Sequence, residues 1–250
     1  MTELAVVGGA TGALGSAIVG RLRVAGLGVV AVARTESALR ELAAGDSGII
    51  PVVADLEDDQ SADTIASAID APVRMVVQAA GLPASGDIDS LTGAEVAAGM
   101  NGKIGGFLRL IDGCRDRLHP GSRLVVLGGH YGEEPSYRVP LAGMANAALA
   151  NLVRSLADRW GPDGVTVHLV APGPVESPRM EAIAQRTADR RGDGSTAEDV
   201  LDEYRAGSPL GRLTTIDEVA WAVSTLLASE AAALHGSSLK LDGGRRRGNA

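Results

Sequence analysis

A glycine-rich segment near the N-terminus has the spacing of a phosphate-binding turn. Three glycines recur at every third position, directly after the apolar run Leu4–Val7 and directly before a helical pattern that starts at Ala17. Glycines with this spacing permit a tight turn, let backbone N–H groups approach a pyrophosphate, and allow the next helix to pack closely on the strand. The pattern predicts a dinucleotide site, with a glycine-rich turn that binds nothing as the alternative. The residues expected to contact the cofactor here are Gly9, Thr11, Gly12, Leu14 and Gly15.

The end of the second apolar run indicates which dinucleotide is bound. In dinucleotide-binding folds an acidic residue about 20 positions after the glycine turn binds the ribose 2′-hydroxyl of NAD, whereas a nearby arginine accommodates the 2′-phosphate of NADP. Here Ala33 stands at the acidic position and is followed by Arg34 and Thr35. A guanidinium offers two parallel donors to a phosphate, so NADP is expected and NAD is less favoured. The alternative is a solvated arginine that opens a helix beside Glu36.

An acidic residue also follows the third apolar run. Asp55, with Leu56 next to it, is placed to contact the adenine of a dinucleotide. The same carboxylate is equally suited to cap the turn from Asp55 to Asp58. Both interpretations stay open on the sequence.

Strands and helices alternate in the predicted structure. Between short β-branched runs lie stretches whose apolar residues recur every three to four positions, as in the stretch from Val96 to Ile111. This alternation predicts a doubly wound parallel sheet of about seven strands with helices on both faces, a three-layer α/β/α fold. The predicted strands are Leu4–Val7, Gly28–Val32, Gly48–Val53, Val73–Val77, Arg123–Leu127, Val165–Val170 and Ser238–Leu241.

A single domain is predicted for residues 1–250. No Pro/Ser-rich linker or internal repeat divides the chain, and the last predicted strand lies near its C-terminal end. The region from Ser177 to Arg212 is charged, contains Gly192-Asp193-Gly194-Ser195 and interrupts the rhythm of the elements. We therefore expect a mobile helical flap over a substrate in this region.

Composition and charge disfavour several classes of protein. The formal net charge is −8 and no stretch alternates basic with aromatic residues, so a nucleic-acid partner is not expected, and the run Arg245-Arg246-Arg247 is expected to be a solvated tail. The single Cys114 excludes a disulfide framework and fits a reducing compartment. No export signal or membrane span is recognisable near the N-terminus, so a cytoplasmic location is expected. The histidines lack ligand spacing, which argues against a metal site.

Taken together, the motifs resemble the short-chain dehydrogenase/reductase family along nearly the whole chain. Besides the glycine turn, Gln78-Ala79-Ala80-Gly81, Asn101, Pro172-Gly173 and Asp242-Gly243-Gly244 follow in family order. The resemblance implies a Rossmann-like fold, an NAD(P)-dependent oxidoreductase that acts on a small molecule, and a homodimer or homotetramer. It also implies that Ser177 replaces the threonine that meets the nicotinamide amide. The further cofactor-binding residues that it implies are Ala79, Ala80, Gly81, Pro172 and Gly173.

The catalytic residues of that family are mostly absent. Members carry a serine after the fifth strand, a tyrosine followed four residues later by a lysine, and a helix asparagine. Alignment of the fifth helix places Gly129, Ala142 and Asn146 at the first three positions, and only Asn101 is retained. Neither of the two lysines in the chain has a tyrosine four residues before it. Hydride transfer to a ketone leaves an alkoxide that needs a hydrogen-bond donor and an acid, so the family's usual reaction is not expected. Asn146 keeps the ability to bind the nicotinamide ribose.

Two residues beside the vacant serine position are candidate substitutes for the missing acid. His130 and Tyr131 are adjacent, and Tyr137 lies in the same loop. A histidine next to a tyrosine at the mouth of a nicotinamide pocket can donate a proton at neutral pH. The alternative is that these side chains pack the loop or contact a partner.

Three functions are compatible with these residues. The first is an NADP(H)-dependent oxidoreductase with a replaced catalytic set, acting on a conjugated alkene, an iminium ion or a strongly polarised carbonyl. The second is a catalytically silent NADP sensor, or a silent subunit beside an active relative. The third is a redox-neutral elimination or cyclisation in which His130 or Tyr131 acts as a base.

Overall fold

Seven parallel strands form the main sheet of the structure, a computed structural model that describes residues 2–83 and 86–248. Their spatial order is β3-β2-β1-β4-β5-β6-β9, which confirms the predicted doubly wound sheet. The crevice where the strand order reverses, between β1 and β4, is where open parallel sheets bind ligands. The strands are β1 (Leu4–Gly8), β2 (Gly28–Ala33), β3 (Ile49–Val53), β4 (Val73–Gln78), β5 (Leu118–Leu127), β6 (Thr166–Pro172) and β9 (Ser238–Leu241). The two-residue strands β7 (Val175–Glu176) and β8 (Thr214–Thr215) pair with each other outside this sheet.

Helices cover both faces of the sheet. Their bounds are α1 (Ala13–Val24), α2 (Glu36–Ala43), α3 (Ser61–Ser67), α4 (Gly93–Met100), α5 (Gly106–Cys114), α6 (Pro140–Trp160), α7 (Pro178–Arg191), α8 (Ala197–Ala206) and α9 (Ile216–Thr225). The predicted continuous helix from Val96 to Ile111 is interrupted, because a π-helical turn, Asn101–Gly105, joins α4 to α5. Such turns change the direction of side chains and are frequent at functional sites.

Two cores lie on opposite sides of the sheet. Successive strand residues point to opposite faces, so Val6 and Val30 pack with α5 and α6, whereas Ala5 and Val29 pack with α1 and α9. A third, smaller cluster holds α7 and α8 together around Met180, Ala184, Val200 and Leu201. The predicted flap region is therefore a helical pair with its own apolar contacts.

Within the described ranges, none of the helices combines the length and apolar character needed to cross a bilayer. Nor do three or more His, Cys, Asp or Glu side chains come together there in an arrangement that could hold a metal ion.

Candidate active site

The glycine turn lies at the reversal point of the sheet. Gly9 has a φ of +73°, and a Cβ atom there would lie 2.6 Å from the backbone nitrogen of Ala80. The Gly9 N–H donates to the carbonyl of Val32 at 2.9 Å, which fixes the turn to β2. Helix α1 starts after Gly12 with no side-chain cap and no acidic residue in its first turn. The free N–H groups of this helix start suit a phosphate, so this part of the chain fits the diphosphate of a dinucleotide.

Arg34 and Thr35 are exposed directly after β2. The carboxylate of Glu36 forms its ion pair with Arg40, one turn along α2, at 2.5 Å. Glu36 therefore does not neutralise Arg34, and among the described residues no hydrogen bond or ion pair engages the Arg34 guanidinium. The arginine is available to a phosphate at the edge where a 2′-phosphate is expected.

Asp55 and Leu56 follow β3 at the same edge of the sheet. Asp55 is exposed and accepts a hydrogen bond from the backbone N–H of Glu57 at 3.0 Å, so the turn-capping interpretation describes its observed contact. Leu56 is buried and packs against the core. An adenine contact by either residue stays a prediction.

A cavity of about 570 Å³ opens at the carboxyl ends of β4, β5 and β6, and α7 and α8 form its opposite wall. Cavities of about 300–1,000 Å³ hold small ligands and cofactors. Leu14 lines this cavity, which therefore adjoins the glycine turn. The predicted site residues that line it are Leu14, Ala79, Gly81, His130, Tyr131, Asn146, Pro172, Gly173 and Ser177. The predicted site residues outside its lining are Gly9, Thr11, Gly12, Gly15, Arg34, Thr35, Asp55, Leu56, Ala80 and Asn101.

The segment after β4 is held by two buried side chains. Gln78 accepts a hydrogen bond from the N–H of Ala80 at 3.1 Å, and the Lys103 ammonium donates to the carbonyl of Ala80 at 2.9 Å. Lys103 is only 6% exposed and lines the cavity. Burial, with a contribution from the nearby Arg179, lowers the pKa of Lys103 to about 8. Lys103 was not among the site residues predicted from the sequence, although a lysine within an otherwise apolar helical pattern could have indicated it.

Asn101 lies on the same π-helical turn but points elsewhere. Its amide nitrogen donates to the carbonyl of Glu57 at 2.9 Å, and its amide oxygen accepts from Arg109 at 2.9 Å. The amide nitrogen thus holds the segment after β3 directly, and the amide oxygen holds Arg109, which itself donates to the carbonyl of Leu56. The wider turn directs Lys103 rather than the Asn101 amide into the cavity, and a catalytic role of Asn101 stays a prediction.

The three positions without catalytic side chains all line the cavity. Gly129 has an extended backbone, and a Cβ atom there would lie 3.0 Å from the amide nitrogen of Asn146. Asn146 is buried, and Ala142 lies one turn before it on α6. None of the three side chains is a Brønsted acid, so a proton donor must come from another part of the cavity.

His130 and Tyr131 stack at the end of β5, with ring centroids 3.9 Å apart. His130 is 5% exposed, and burial together with Arg245 and Arg246 lowers its pKa to about 4. With this pKa the imidazole is neutral at pH 7 and carries no imidazolium proton to donate, and a catalytic role of His130 stays a prediction. Burial and a hydrogen bond with Tyr204 of α8 raise the pKa of Tyr131 to about 12, so the phenol keeps its proton. Tyr137 is 63% exposed and is absent from the cavity lining.

Ser177 lies between β7 and α7. Its hydroxyl donates to the carbonyl of Val175 at 3.0 Å and accepts from the N–H of Met180 at 3.3 Å, which makes it the N-cap of α7. Pro172 ends β6, and Gly173 follows it close to Asp242, where its N–H donates to the carbonyl of Leu241 at 2.9 Å. These contacts explain the local turn, and the cofactor role of the three residues stays a prediction.

The expectation of a solvated tail is wrong for Arg245 and Arg246, whereas the side chain of Arg247 is exposed. The side chain of Arg246 is 4% exposed, forms ion pairs with Asp242 at 2.6 Å and Glu133 at 2.8 Å, and donates to the carbonyl of Ala171 at 2.7 Å. Arg245 lines the cavity and donates to the carbonyl of Tyr204. The expectation failed because carboxylates distant in sequence fold against this segment.

Comparison with known proteins agrees with this architecture. A family model described as enoyl-(acyl carrier protein) reductase matches residues 9–246. The chain belongs to the short-chain dehydrogenase/reductase family. The short-chain reductase protein NovJ of Streptomyces niveus is 28% identical over 254 residues, which cover 97% of this chain and 94% of NovJ. The enoyl-[acyl-carrier-protein] reductase [NADH] FabI of Escherichia coli (strain K12) is 30% identical over 141 residues, or 55% of this chain and 48% of FabI.

Solved structures of short-chain dehydrogenases superpose along the chain. An oxidoreductase of this family from Burkholderia thailandensis has a TM-score of 0.82 at 29% identity, with 100% of this chain and 94% of that chain covered. The L-sorbose reductase of Gluconobacter frateurii, complexed with NADPH and L-sorbose, has a TM-score of 0.88 at 21% identity, with 99% and 97% covered. The latter likeness shows the shared fold. The chain is an oxidoreductase of short-chain dehydrogenase type.

Proposed function

We propose that this short-chain dehydrogenase is an NADP(H)-dependent reductase of a small organic substrate that works without the family's serine, tyrosine and lysine. The observation that carries the proposal is a cavity that adjoins an intact phosphate-binding turn, while Gly129, Ala142 and Asn146 occupy the positions of the usual catalytic side chains. When bound, NADPH supplies a hydride. The residues of this chain must position the substrate and provide the proton.

The preference for NADP rests on Arg34. Its guanidinium is exposed at the end of β2, the preceding Ala33 carries no carboxylate, and the neighbouring Glu36 is paired with Arg40. A carboxylate at that edge would repel a 2′-phosphate, whereas a guanidinium without an acidic partner among the described residues attracts it.

Tyr131 is the proton donor that we propose. It lines the cavity and its phenol is protonated at neutral pH, whereas His130 beside it has no acidic proton to give. A raised phenol pKa makes Tyr131 a weaker acid than a tyrosine beside a lysine ammonium. This favours substrates whose negative charge after hydride transfer is delocalised or cancelled, such as a conjugated alkene, an iminium ion or a strongly polarised carbonyl.

The test compares two tyrosines of the same loop. Tyr131→Phe should lower kcat for NADPH-dependent reduction of a conjugated ketone such as cyclohex-2-enone by about 10²–10⁴, with NADPH binding unchanged. Tyr137→Phe, which alters an exposed ring outside the cavity lining, should leave kcat unchanged. Absence of saturable NADPH binding at millimolar cofactor would contradict the proposal, and equal kcat in the two variants would exclude Tyr131 as the donor.

The same vacant positions favour a second candidate, a catalytically silent subunit that binds NADP(H), alone or beside an active relative. The combined variant Gly129→Ser, Ala142→Tyr and Asn146→Lys distinguishes the two. Gly129 has an extended backbone that accepts a serine. The silent-subunit hypothesis predicts a new ketone reductase activity where none existed, whereas the reductase hypothesis predicts that an existing activity is disturbed.

A further inference from the structure

Cations dominate the cavity of a chain that is acidic as a whole. The formal net charge is −8, yet among the described residues that line the cavity Glu203 is the one carboxylate, and it neutralises Arg191 through two hydrogen bonds of 2.6 Å. The lining cations are Lys103, Arg138, Arg179, Arg186, Arg190, Arg191 and Arg245. A low-dielectric cleft lined by one sign of charge concentrates ligands of the opposite sign.

Three of these cations form a wall on one helix. Arg179, Arg186 and Arg190, here called the cationic wall, stand at positions of α7 separated by seven and four residues, so they share the helix face that lines the cavity. Within the described residues, none of them forms an ion pair with a carboxylate. Elsewhere arginines on the helices pair readily with acids, as Arg154 does with Asp158.

Lys103 faces the wall from the other side of the cavity. A Cβ atom on Gly81 would lie 3.0 Å from a guanidinium nitrogen of Arg179, and Lys103 donates to the carbonyl of the adjacent Ala80. The two cations thus flank one short turn, and Arg179 contributes to the lowered pKa of Lys103. Two cations beside one turn repel each other, and an anion between them would relieve this repulsion.

An unpaired donor adds an independent observation. The Nε atom of Arg245 is buried and has no hydrogen-bond partner among the described residues, although Arg245 lines the same cavity. Solvent does not reach this atom, so a ligand oxygen accepts from it only when the Arg245 side chain turns toward the cavity. A buried N–H without an acceptor is costly, which favours this turn when an anion is bound.

We infer that the cavity is a site for a substrate that carries a carboxylate or phosphate group, bound by the cationic wall opposite Lys103. The inference deepens the proposed reductase function and rests on it for the identity of the reacting group. The hydride-accepting carbon lies toward the strand ends and Tyr131, whereas Arg186 and Arg190 hold the anionic group near the outer end of α7. A guanidinium binds either anion through parallel hydrogen bonds.

The test uses a matched pair of ligands that differ in charge. The NADP⁺-loaded chain is titrated calorimetrically with trans-4-oxopent-2-enoate and with its methyl ester, and inorganic phosphate serves as competitor. The acid should bind at least about tenfold more tightly than the ester, as expected for a charge-assisted hydrogen bond, and phosphate should displace it. In the double variant Arg186→Gln and Arg190→Gln this preference should disappear, while the ester and NADPH bind as before.

Control variants separate charge from structure and from cofactor binding. Replacement of both arginines by lysine should keep most of the preference, and Arg117→Gln, an exposed arginine outside the cavity lining, should have no effect. Equal binding of acid and ester by the unaltered chain, or no saturable binding of acid and phosphate, would overturn the inference. If the double variant lost NADPH as strongly as the acid, the wall would belong to the cofactor. Acid binding to the cofactor-free chain together with no NADPH binding would instead refute the reductase proposal alone.

Discussion

Gly15 provides a direct test of how the glycine turn is built. An alanine Cβ at this position would overlap the carbonyl oxygen of Gly9 and lie 2.9 Å from the Cα atom of Ala10. Both neighbours are backbone atoms of the turn, so no flexible side-chain end can move aside. Overpacking of this kind costs about 1–3 kcal/mol, and we expect Gly15→Ala to lie near the upper limit. For a chain of this length that corresponds to a fall in Tm of roughly 6–12 °C.

Gly20 on the same helix is the matched control. Apart from its chain neighbours and the backbone of its own helix, a Cβ atom there meets no heavy atom of the described residues within 4 Å, so alanine is accommodated and removes the entropic penalty of glycine in a helix interior. Gly20→Ala should stabilise the chain by about 0.5–1 kcal/mol. The two substitutions are chemically identical, so the opposite signs of their expected effects on the free energy of unfolding follow from the different packing around each glycine.

Thermal unfolding measures the change in stability, and NADPH titration measures the change in cofactor affinity. In Gly15→Ala a displaced Gly9 carbonyl shifts the turn, so NADPH should bind at least about tenfold more weakly, as for the loss of one charge-assisted hydrogen bond. In Gly20→Ala binding should be unchanged. A Gly15→Ala chain that equals the unaltered one in both Tm and NADPH affinity would refute the close packing of turn and helix and the placement of the diphosphate there.

Three further outcomes are expected. Arg34→Ala should weaken NADP binding much more than NAD binding in parallel titrations. Equal losses of affinity for the two cofactors would show that Arg34 does not bind the 2′-phosphate. Arg246→Ala should lower the free energy of unfolding in denaturant titrations by about 3 kcal/mol, because it removes the ion pair of the buried Asp242 carboxylate, whereas Glu133 keeps its ion pair with Lys240. Arg247→Ala, at an exposed position, should change it by less than about 0.5 kcal/mol. Burial lowers the pKa of His168 to about 4, so the unfolded chain binds more protons below about pH 6.5 and stability falls as pH drops from 6.5 toward 4. Thermal unfolding of His168→Asn between pH 7 and 5 should show a shallower decline, and an unchanged slope would contradict this assignment.

The fold could be predicted from local patterns because its elements are specified locally. All seven predicted strands occur in the main sheet, with ends displaced by a few residues. Strands buried on both faces, as Val6 and Ala5 show, need continuous apolar runs. The glycine turn could also be predicted from the sequence, because backbone atoms next to Gly9 and Gly15 leave no room for a side chain and so require glycine at these positions.

Side-chain directions in the cavity were less predictable. Asn101 and Lys103 lie two residues apart, and the π-helical turn decided that the lysine lines the cavity while the asparagine binds the segment after β3. A sequence pattern with a helical period carries no sign of such a turn. The protonation state of His130 could not be predicted for a related reason, since its pKa depends on burial and on Arg245, which is distant in sequence.

The sequence alone determined that the family's tyrosine–lysine pair is absent. Which side chains line the cavity instead was decided by the tertiary structure. The absence of a tyrosine four residues before either lysine follows from the order of residues, and no folding can alter it. The cationic wall of α7, the buried Lys103 opposite it and the neutral His130 beside Tyr131 exist because separate segments meet at the carboxyl ends of β4, β5 and β6. Electrostatic interactions depend on distance and burial, and both are properties of the folded chain.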